Sequence, residues 1–397
     1  MEVLELKPNF YYVGVVDHSL KLFDVAVLTN DGTSYNSYLL KTPEGAILFE
    51  GCRREYEEEY FRHIEEIVPL KDVKYLVVTH SEPDHSGSIG KLIDLNPELT
   101  ILASPACLKH LDAITRKPFK RKVMNPLAPL SFGGYTLEAV SGLMLHWPDV
   151  MFTYIKELKV LVSCDAFGAH FASDALLLSK EPDKERYYAA LRYYFVSIMG
   201  PFAKFVTAAC ERVKKLDIDM ICVGHGPIID TNVQDQIHRY EELAKEFTPV
   251  NDPNFVTIVY ASAYGYTREI AHSLETKFQH DGKKVALYEI DALNYGSLKD
   301  KILNDIAHSG TLLLGSPTMV GDAVCLFYDL LSHVYTTVGQ GKKASAFGDY
   351  GWSGEAVKNL SERLSQLHFN VIPGYRQVFK SDKASEEELQ KYYETLK

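Results

Sequence analysis

His80-Ser81-Glu82-Pro83-Asp84-His85 places four metal-capable side chains within six residues. The segment follows an apolar, β-branched run, Tyr75-Leu76-Val77-Val78-Thr79, and leads into Ser86-Gly87-Ser88-Ile89-Gly90. That pattern predicts a buried strand over Tyr75–Thr79, a loop at its carboxyl end and a helix from Ser86 to Leu95. Pro83, which has no N–H to donate, argues against a helix running through the loop. The competing explanation is a polar turn that happens to contain two histidines.

Three residues further along decide between these readings. His146 stands in Leu145-His146-Trp147-Pro148-Asp149, Asp165 in Ser163-Cys164-Asp165-Ala166-Phe167-Gly168, and His225 in Gly224-His225-Gly226-Pro227. Asp165 and His225 each follow an apolar strand and precede a small-residue turn, and His146 lies in a loop before the next strand. Alone, each is an ordinary histidine, cap or turn residue. Together they are polar residues converging at one edge of a sheet, which is how a site is built.

The surrounding elements fit two sheets between helical layers. Strands are predicted over residues 10–16, 34–40, 46–49, 99–103, 135–140, 150–155, 160–162 and 220–223. Helices are expected over 53–67, after Ser104-Pro105, where Ser104 suits an N-cap and Pro105 the first helical position, and through 184–216. His170 and the aromatic run Tyr193-Tyr194-Phe195 either orient ligands and supply a proton or simply pack. His63, His110 and His238 fall on amphipathic helices and read as surface or interface residues.

With 397 residues, two domains are expected. A chain 46% hydrophobic and 24% charged suits globular cores, and a net charge of −11 argues against a nucleic-acid partner. The six cysteines form no Cys-x-x-Cys pair, which excludes a rubredoxin-like or zinc-ribbon site and suggests reduced, buried thiols. There is no apolar leader in residues 1–10 and no run near the roughly 18 apolar residues of a membrane span. The expected location is the cytoplasm, with no membrane partner.

Phe247-Thr248-Pro249-Val250-Asn251-Asp252-Pro253-Asn254 marks a boundary, dividing the chain into residues 1–249 and 250–397. Beyond it strands and helices alternate, which means a doubly wound parallel sheet with its ligand at the carboxyl ends of the strands. Three loops lie there. The first carries Ser262, Tyr264, Gly265, Tyr266 and Thr267 before a helix, an anion site without a lysine. The second carries Pro317, Thr318 and Met319, and the third Gly348, Tyr350, Gly351 and Trp352, flat and small residues suited to a planar ring. No Gly-x-Gly-x-x-Gly or Gly-Lys-Ser/Thr occurs, so neither a dinucleotide site nor a nucleotide-hydrolysing loop fits. A final helix is expected over Ser385–Leu396, with Ser385 and Glu388 spaced as a capping box.

The order His80-x-Glu82-x-Asp84-His85, His146, Asp165, His225 resembles the metal pattern of the metallo-β-lactamase fold, and more closely that of the flavodiiron proteins. The zinc hydrolases of that fold carry a histidine where this chain has Glu82. A hard anionic oxygen there favours iron over zinc. The three later loops resemble those of flavodoxin, departing from Thr-x-Thr-Gly-x-Thr at Ser262 and Tyr264.

The resemblance implies an N-terminal αββα metallo-β-lactamase-like sandwich with two irons and a C-terminal flavodoxin-like domain with FMN. His80, Glu82 and His146 would bind one iron, Asp84, His85 and His225 the other, and Asp165 would bridge them. The implied function is an oxidoreductase for electron transport to small gases, taking O2 to water, NO to N2O, or both. Electrons would come from a separate donor, rubredoxin or a reduced deazaflavin, in a head-to-tail homodimer or dimer of dimers. The alternatives are a dinuclear zinc hydrolase with a regulatory flavodoxin domain and an electron carrier with a vestigial first domain.

Overall fold

The strand that carries the His80 motif, Val73–Val78, is buried on both faces. Val77 packs with Ile47, Phe49 and Leu102 on one side, while Leu76 and Val78 pack with Tyr60, Leu92 and Leu111 on the other. A strand with alternate residues in two separate cores must lie inside a layered structure. The computed structural model describes residues 3–380 and 382–397 and divides into two units, Met1–Thr248 and Pro249–Lys397.

In the first unit, one sheet has the order Leu4–Lys7, Phe10–Tyr12, Tyr38–Thr42, Gly45–Phe49, Val73–Val78, Thr100–Ala103, Lys120–Val123. Its partner runs Leu130–Phe132, Tyr135–Ser141, Met151–Ile155, Val160–Cys164, Met220–Val223. Their inner faces share one core, and helices cover each outer face, giving the αββα order. Two short hairpins, Val15–Asp17 with Thr33–Tyr35 and Leu22–Phe23 with Val27–Leu28, stand apart from the sheets.

The second unit is a parallel sheet with helices on both faces. Its order is Lys284–Glu289, Asp252–Tyr260, Ser309–Gly315, Lys343–Tyr350, Asn370–Val371, with Tyr375–Val378 also paired to Lys343–Tyr350. The second strand in sequence lies outside the first, and the third on its other side, so the order reverses there and opens a crevice. Among the described residues no helix is long and apolar enough to cross a membrane.

Several local expectations need correcting. The His80 motif is not all loop: Pro83–Ser86 form one helical turn with Pro83 at its start, where a missing N–H costs nothing. The helix that follows is Ile89–Leu95. The edge strand Lys120–Val123 escapes a hydrophobic pattern because all four of its residues are exposed. The last helix is Lys383–Leu396, and its capping box joins Asp382 with Ser385, not Ser385 with Glu388. His63 is buried, its Nδ1 3.0 Å from Gly14 O, rather than a surface residue.

Lys342 gives the second unit an unusual anchor. It is only 2% exposed, and its ammonium donates to the carbonyls of Val250, Ile306, Ala307 and Ser309 at 2.7–2.9 Å. One charge thereby ties the incoming chain, the end of helix Tyr295–His308 and the start of strand Ser309–Gly315 together. Lys342→Met strands those acceptors and should cost about 3 kcal/mol. Thermal unfolding of the full chain followed by circular dichroism should show its transition lowered by roughly 6–12 °C. An unchanged melting temperature would contradict the role given to Lys342.

Candidate metal centre

Four segments deliver the candidate ligands to one place. The end of Val73–Val78 supplies His80, Glu82, Asp84 and His85, the loop before Met151–Ile155 supplies His146, the end of Val160–Cys164 supplies Asp165, and the end of Met220–Val223 supplies His225. They form two groups, His80, Glu82, His146 and Asp165 in one, Asp84, His85 and His225 in the other.

Asp165 belongs to both. Its Oδ2 lies 3.0 Å from His146 Nε2 and 3.6 Å from His80 Nε2, while Oδ1 lies 2.9 Å from His85 Nε2 and 3.3 Å from His225 Nε2. Glu82 Oε2 completes the first group, 3.1 Å from His80 Nε2 and 3.0 Å from His146 Nε2. Asp84 Oδ2 completes the second, 3.1 Å from His225 Nε2 and 3.3 Å from His85 Nε2. All seven expected residues therefore meet, with Nε2 of each imidazole aimed inward.

The electrostatics are those of cation-binding pockets. Burial would lower His146 and His225, but Asp165 together with Glu82 or Asp84 pushes them up to about 9 and about 10. Burial would raise Asp165, yet His85, His146 and His225 hold it well below the ordinary carboxylate range. Protons here occupy the positions that metal ions would take. Asp84 decides the fit: it is buried, and neither carboxylate oxygen makes an aligned hydrogen bond. A buried carboxylate without such bonds is costly unless a cation satisfies it. The mixed oxygen and nitrogen donor set fits two transition-metal ions with Asp165 between them.

Further residues aim the ligands. His225 Nδ1 donates to Ser34 O at 2.6 Å, and His80 Nδ1 donates to Asp149 Oδ1 at 3.3 Å, which turns Nε2 of each ring toward the site. Asp149 is fixed in turn by the Ser81 N–H at 2.8 Å. Sequence reading passed over Asp149, although it lies three residues after His146. His110 is likewise no bare surface residue, since its Nδ1 lies 2.9 Å from Ser81 Oγ. His170 packs against Tyr194, Phe23 and His225, with Thr33 Oγ1 2.9 Å from its Nδ1. Burial, then His225, keeps its imidazole well below its usual pKa and so neutral. Asp24, at the tip of the Leu22–Leu28 hairpin, was also missed; partial loss of solvent and the neighbouring Glu82 push its carboxyl up to about 6.

In the second unit the three expected loops follow three adjacent strands, Asp252–Tyr260, Ser309–Gly315 and Lys343–Tyr350. Gly265, at φ 94°, turns the chain into helix Tyr266–His280, and Ser262 Oγ accepts from the N–H groups of Gly265 and Arg268. Thr267 is buried and its hydroxyl donates to Asp349, so it braces the first loop against the third. Thr318 N–H donates to Asp349 O at 3.0 Å, joining the second loop to the same residue. Tyr264 and Trp352 are 86% and 85% exposed, an arrangement that leaves two large aromatic faces for a planar ligand. Phe379, which packs near Tyr266 and Gly351, belongs to a fourth segment that sequence reading did not include.

Two family models match the chain in the same two places, ODP family beta lactamase over residues 33–226 and Flavodoxin over residues 258–395. The chain is 31% identical over 378 residues to the flavo-diiron protein FprA2 of Clostridium acetobutylicum, covering 94% of this chain and 93% of that one. The chain belongs to the flavodiiron protein family. The type A flavoprotein fprA of Rhodobacter capsulatus is 30% identical over 381 residues, covering 93% of this chain and 85% of the relative. Among solved flavodiiron structures, rubredoxin oxygen:oxidoreductase from Desulfovibrio gigas aligns with a TM-score of 0.66 at 27% identity, covering 100% of this chain and 98% of the other. The flavodiiron protein of Giardia intestinalis aligns at 0.64 and 26%, covering 100% and 95%. The family assignment agrees with the expected αββα plus flavodoxin-like architecture.

Gly224 lets His85 reach its position in this flavodiiron site. A Cβ at residue 224 would lie 2.8 Å from His85 Cε1 and 3.0 Å from the Cys164 carbonyl carbon. Gly224→Ala should displace the ring and remove one of two tight metal positions. Ferrous-ion titration of the metal-free protein should then give about one equivalent bound tightly instead of two. Two unchanged equivalents would contradict this packing argument.

Proposed function

We propose that this flavodiiron protein is an oxidoreductase that reduces O2 to water, NO to N2O, or both, with electrons relayed through FMN to a diiron centre. The observation that carries the reading is Asp165, whose two oxygens each face a separate group of imidazoles and carboxylate. His80, Glu82 and His146 would hold one iron, Asp84, His85 and His225 the other, and Asp165 both. FMN would rest against Ser262, Tyr264, Gly265, Tyr266 and Thr267 of the first loop, Pro317, Thr318 and Met319 of the second, and Gly348, Tyr350, Gly351 and Trp352 of the third.

When bound, a ferrous pair and a reduced FMN supply four electrons, the number that takes O2 to two waters. The chain's own contribution is positional. Asp149 and Ser34 hold His80 and His225 with Nε2 facing the metal positions. Glu82, Asp84 and Asp165 offset cationic charge in a pocket where little water enters. Phe23, Tyr194 and the neutral ring of His170 wall the His225 side of that pocket. Against a zinc hydrolase stands Glu82 Oε2, 3.1 Å from His80 Nε2 and 3.0 Å from His146 Nε2, a hard anionic donor that suits iron.

The Desulfovibrio gigas relative is named for rubredoxin and oxygen, which supports rubredoxin as the donor and O2 as a substrate here. A head-to-tail homodimer and a cytoplasmic setting complete the proposal. Glu82→Ala and Asp165→Ala should each lower rubredoxin-driven consumption of O2 and NO at least ~100-fold, while FMN content stays near one per chain. Wild-type turnover in either variant, or esterase activity of a zinc-loaded protein with no gas reduction, would overturn the reading.

A further inference from the structure

Glu50 is a buried carboxylate beside His85. It follows strand Gly45–Phe49, takes a positive φ of 65° and is 0% exposed. The backbone is pinned on all sides: its N–H donates to Val77 O, and its carbonyl accepts from Ser37 Oγ and Tyr60 OH. A non-glycine residue in the left-handed region, held this firmly, marks a position where the side chain has to point one way. One carboxylate oxygen, Oε1, accepts the Thr79 N–H at 2.9 Å. The other, Oε2, is buried without a hydrogen bond.

Among the atoms that share that condition are His85 Nδ1 and Thr79 Oγ1. A carboxylate oxygen of Glu50, a ring nitrogen of His85 and Cys164 Sγ lie within 4.8 Å of one another. His85 Nε2 is engaged by Asp165 and Asp84, so Nδ1 is the ring nitrogen left for an acceptor. His80 and His225 each have an acceptor on Nδ1, Asp149 and Ser34 O. His85 has none unless Glu50 provides it.

We infer that Glu50 is the positioning residue of His85, accepting its Nδ1–H directly or through one water and so presenting the Nε2 lone pair to the second metal position. The inference rests on the diiron reading above. It accounts for a carboxylate buried beside the site at a cost that burial of a charge always carries. It also makes His85 a ligand by arrangement: without an acceptor, the ring is free to carry its proton on Nε2 and donate to Asp165 instead. Cys164 Sγ is the third member of the cluster but is fully buried, and burial pushes its thiol well up, so it stays a protonated neighbour.

The test is a double-mutant cycle on the full-length, FMN-containing protein loaded with ⁵⁷Fe. Glu50→Gln keeps the shape and an oxygen for the Thr79 N–H. It should lower affinity for one of the two ferrous ions by roughly 10–100-fold and shift one Mössbauer quadrupole doublet, leaving the other in place. In a His85→Ala background the same substitution should change neither quantity further. Wild-type affinity and spectra for Glu50→Gln, or an equal additional loss in the His85→Ala background, would overturn the inference. Should Glu50→Gln fail to retain FMN or native circular dichroism, ¹⁵N-histidine NMR of the zinc-loaded wild type decides instead. The His85 Nδ1–H is expected to resonate downfield and exchange slowly, as a proton held by a carboxylate does, and an Nδ1–H that exchanges freely refutes the role. A wild-type protein that never binds two metal ions would instead sink the diiron reading itself, a different result.

Discussion

Asp165 stands where two groups of imidazoles meet, at the end of a strand buried on both faces, and each of its oxygens serves one group. Holding a carboxylate there is expensive unless positive charge surrounds it. The αββα sandwich supplies that charge from strand ends and one loop far apart in sequence, residues 80–85, 225 and 146, which the paired sheets bring within hydrogen-bonding distance. The packing of Val77, Val160 and Val162 between the sheets is thus also what spaces the ligands.

Acceptors behind the ligands refine the arrangement. Asp149, Ser34 O and Glu50 each stand behind a different histidine, and none comes from the residue next to the ring it serves. Fixing which nitrogen carries the proton removes a choice that every imidazole otherwise has. The second unit uses a similar economy: Asp349 receives the Thr267 hydroxyl and, through its backbone, the Thr318 N–H, so a single residue couples three loops.

Much of the candidate site was legible in the sequence because the side chains that meet there are rare ones placed directly after apolar runs. His80, Asp165 and His225 stand out against strands whose valines and leucines announce themselves. The break expected between residues 249 and 250 was read from the prolines of residues 249 and 253, and the compact units divide between Thr248 and Pro249. Glu50, Asp149 and Asp24 were not visible, since a lone carboxylate in a turn has no spacing that separates it from a solvated one. Pro83 misled because the rule against proline inside a helix says nothing against proline at its first position. The edge strand Lys120–Val123 hid because pairing on one side and charge on the other leave no apolar period. His63 was misjudged because its burial comes from Gly14, a contact 49 residues away that helix periodicity cannot report.

The most direct test of a carboxylate-bridged iron pair is anomalous diffraction from anaerobically iron-loaded crystals, collected on both sides of the iron K edge. Two peaks that vanish below the edge, one on each side of the Asp165 carboxylate, are the predicted result. A single peak, or peaks that persist below the iron edge and respond only at that of zinc, would contradict the account.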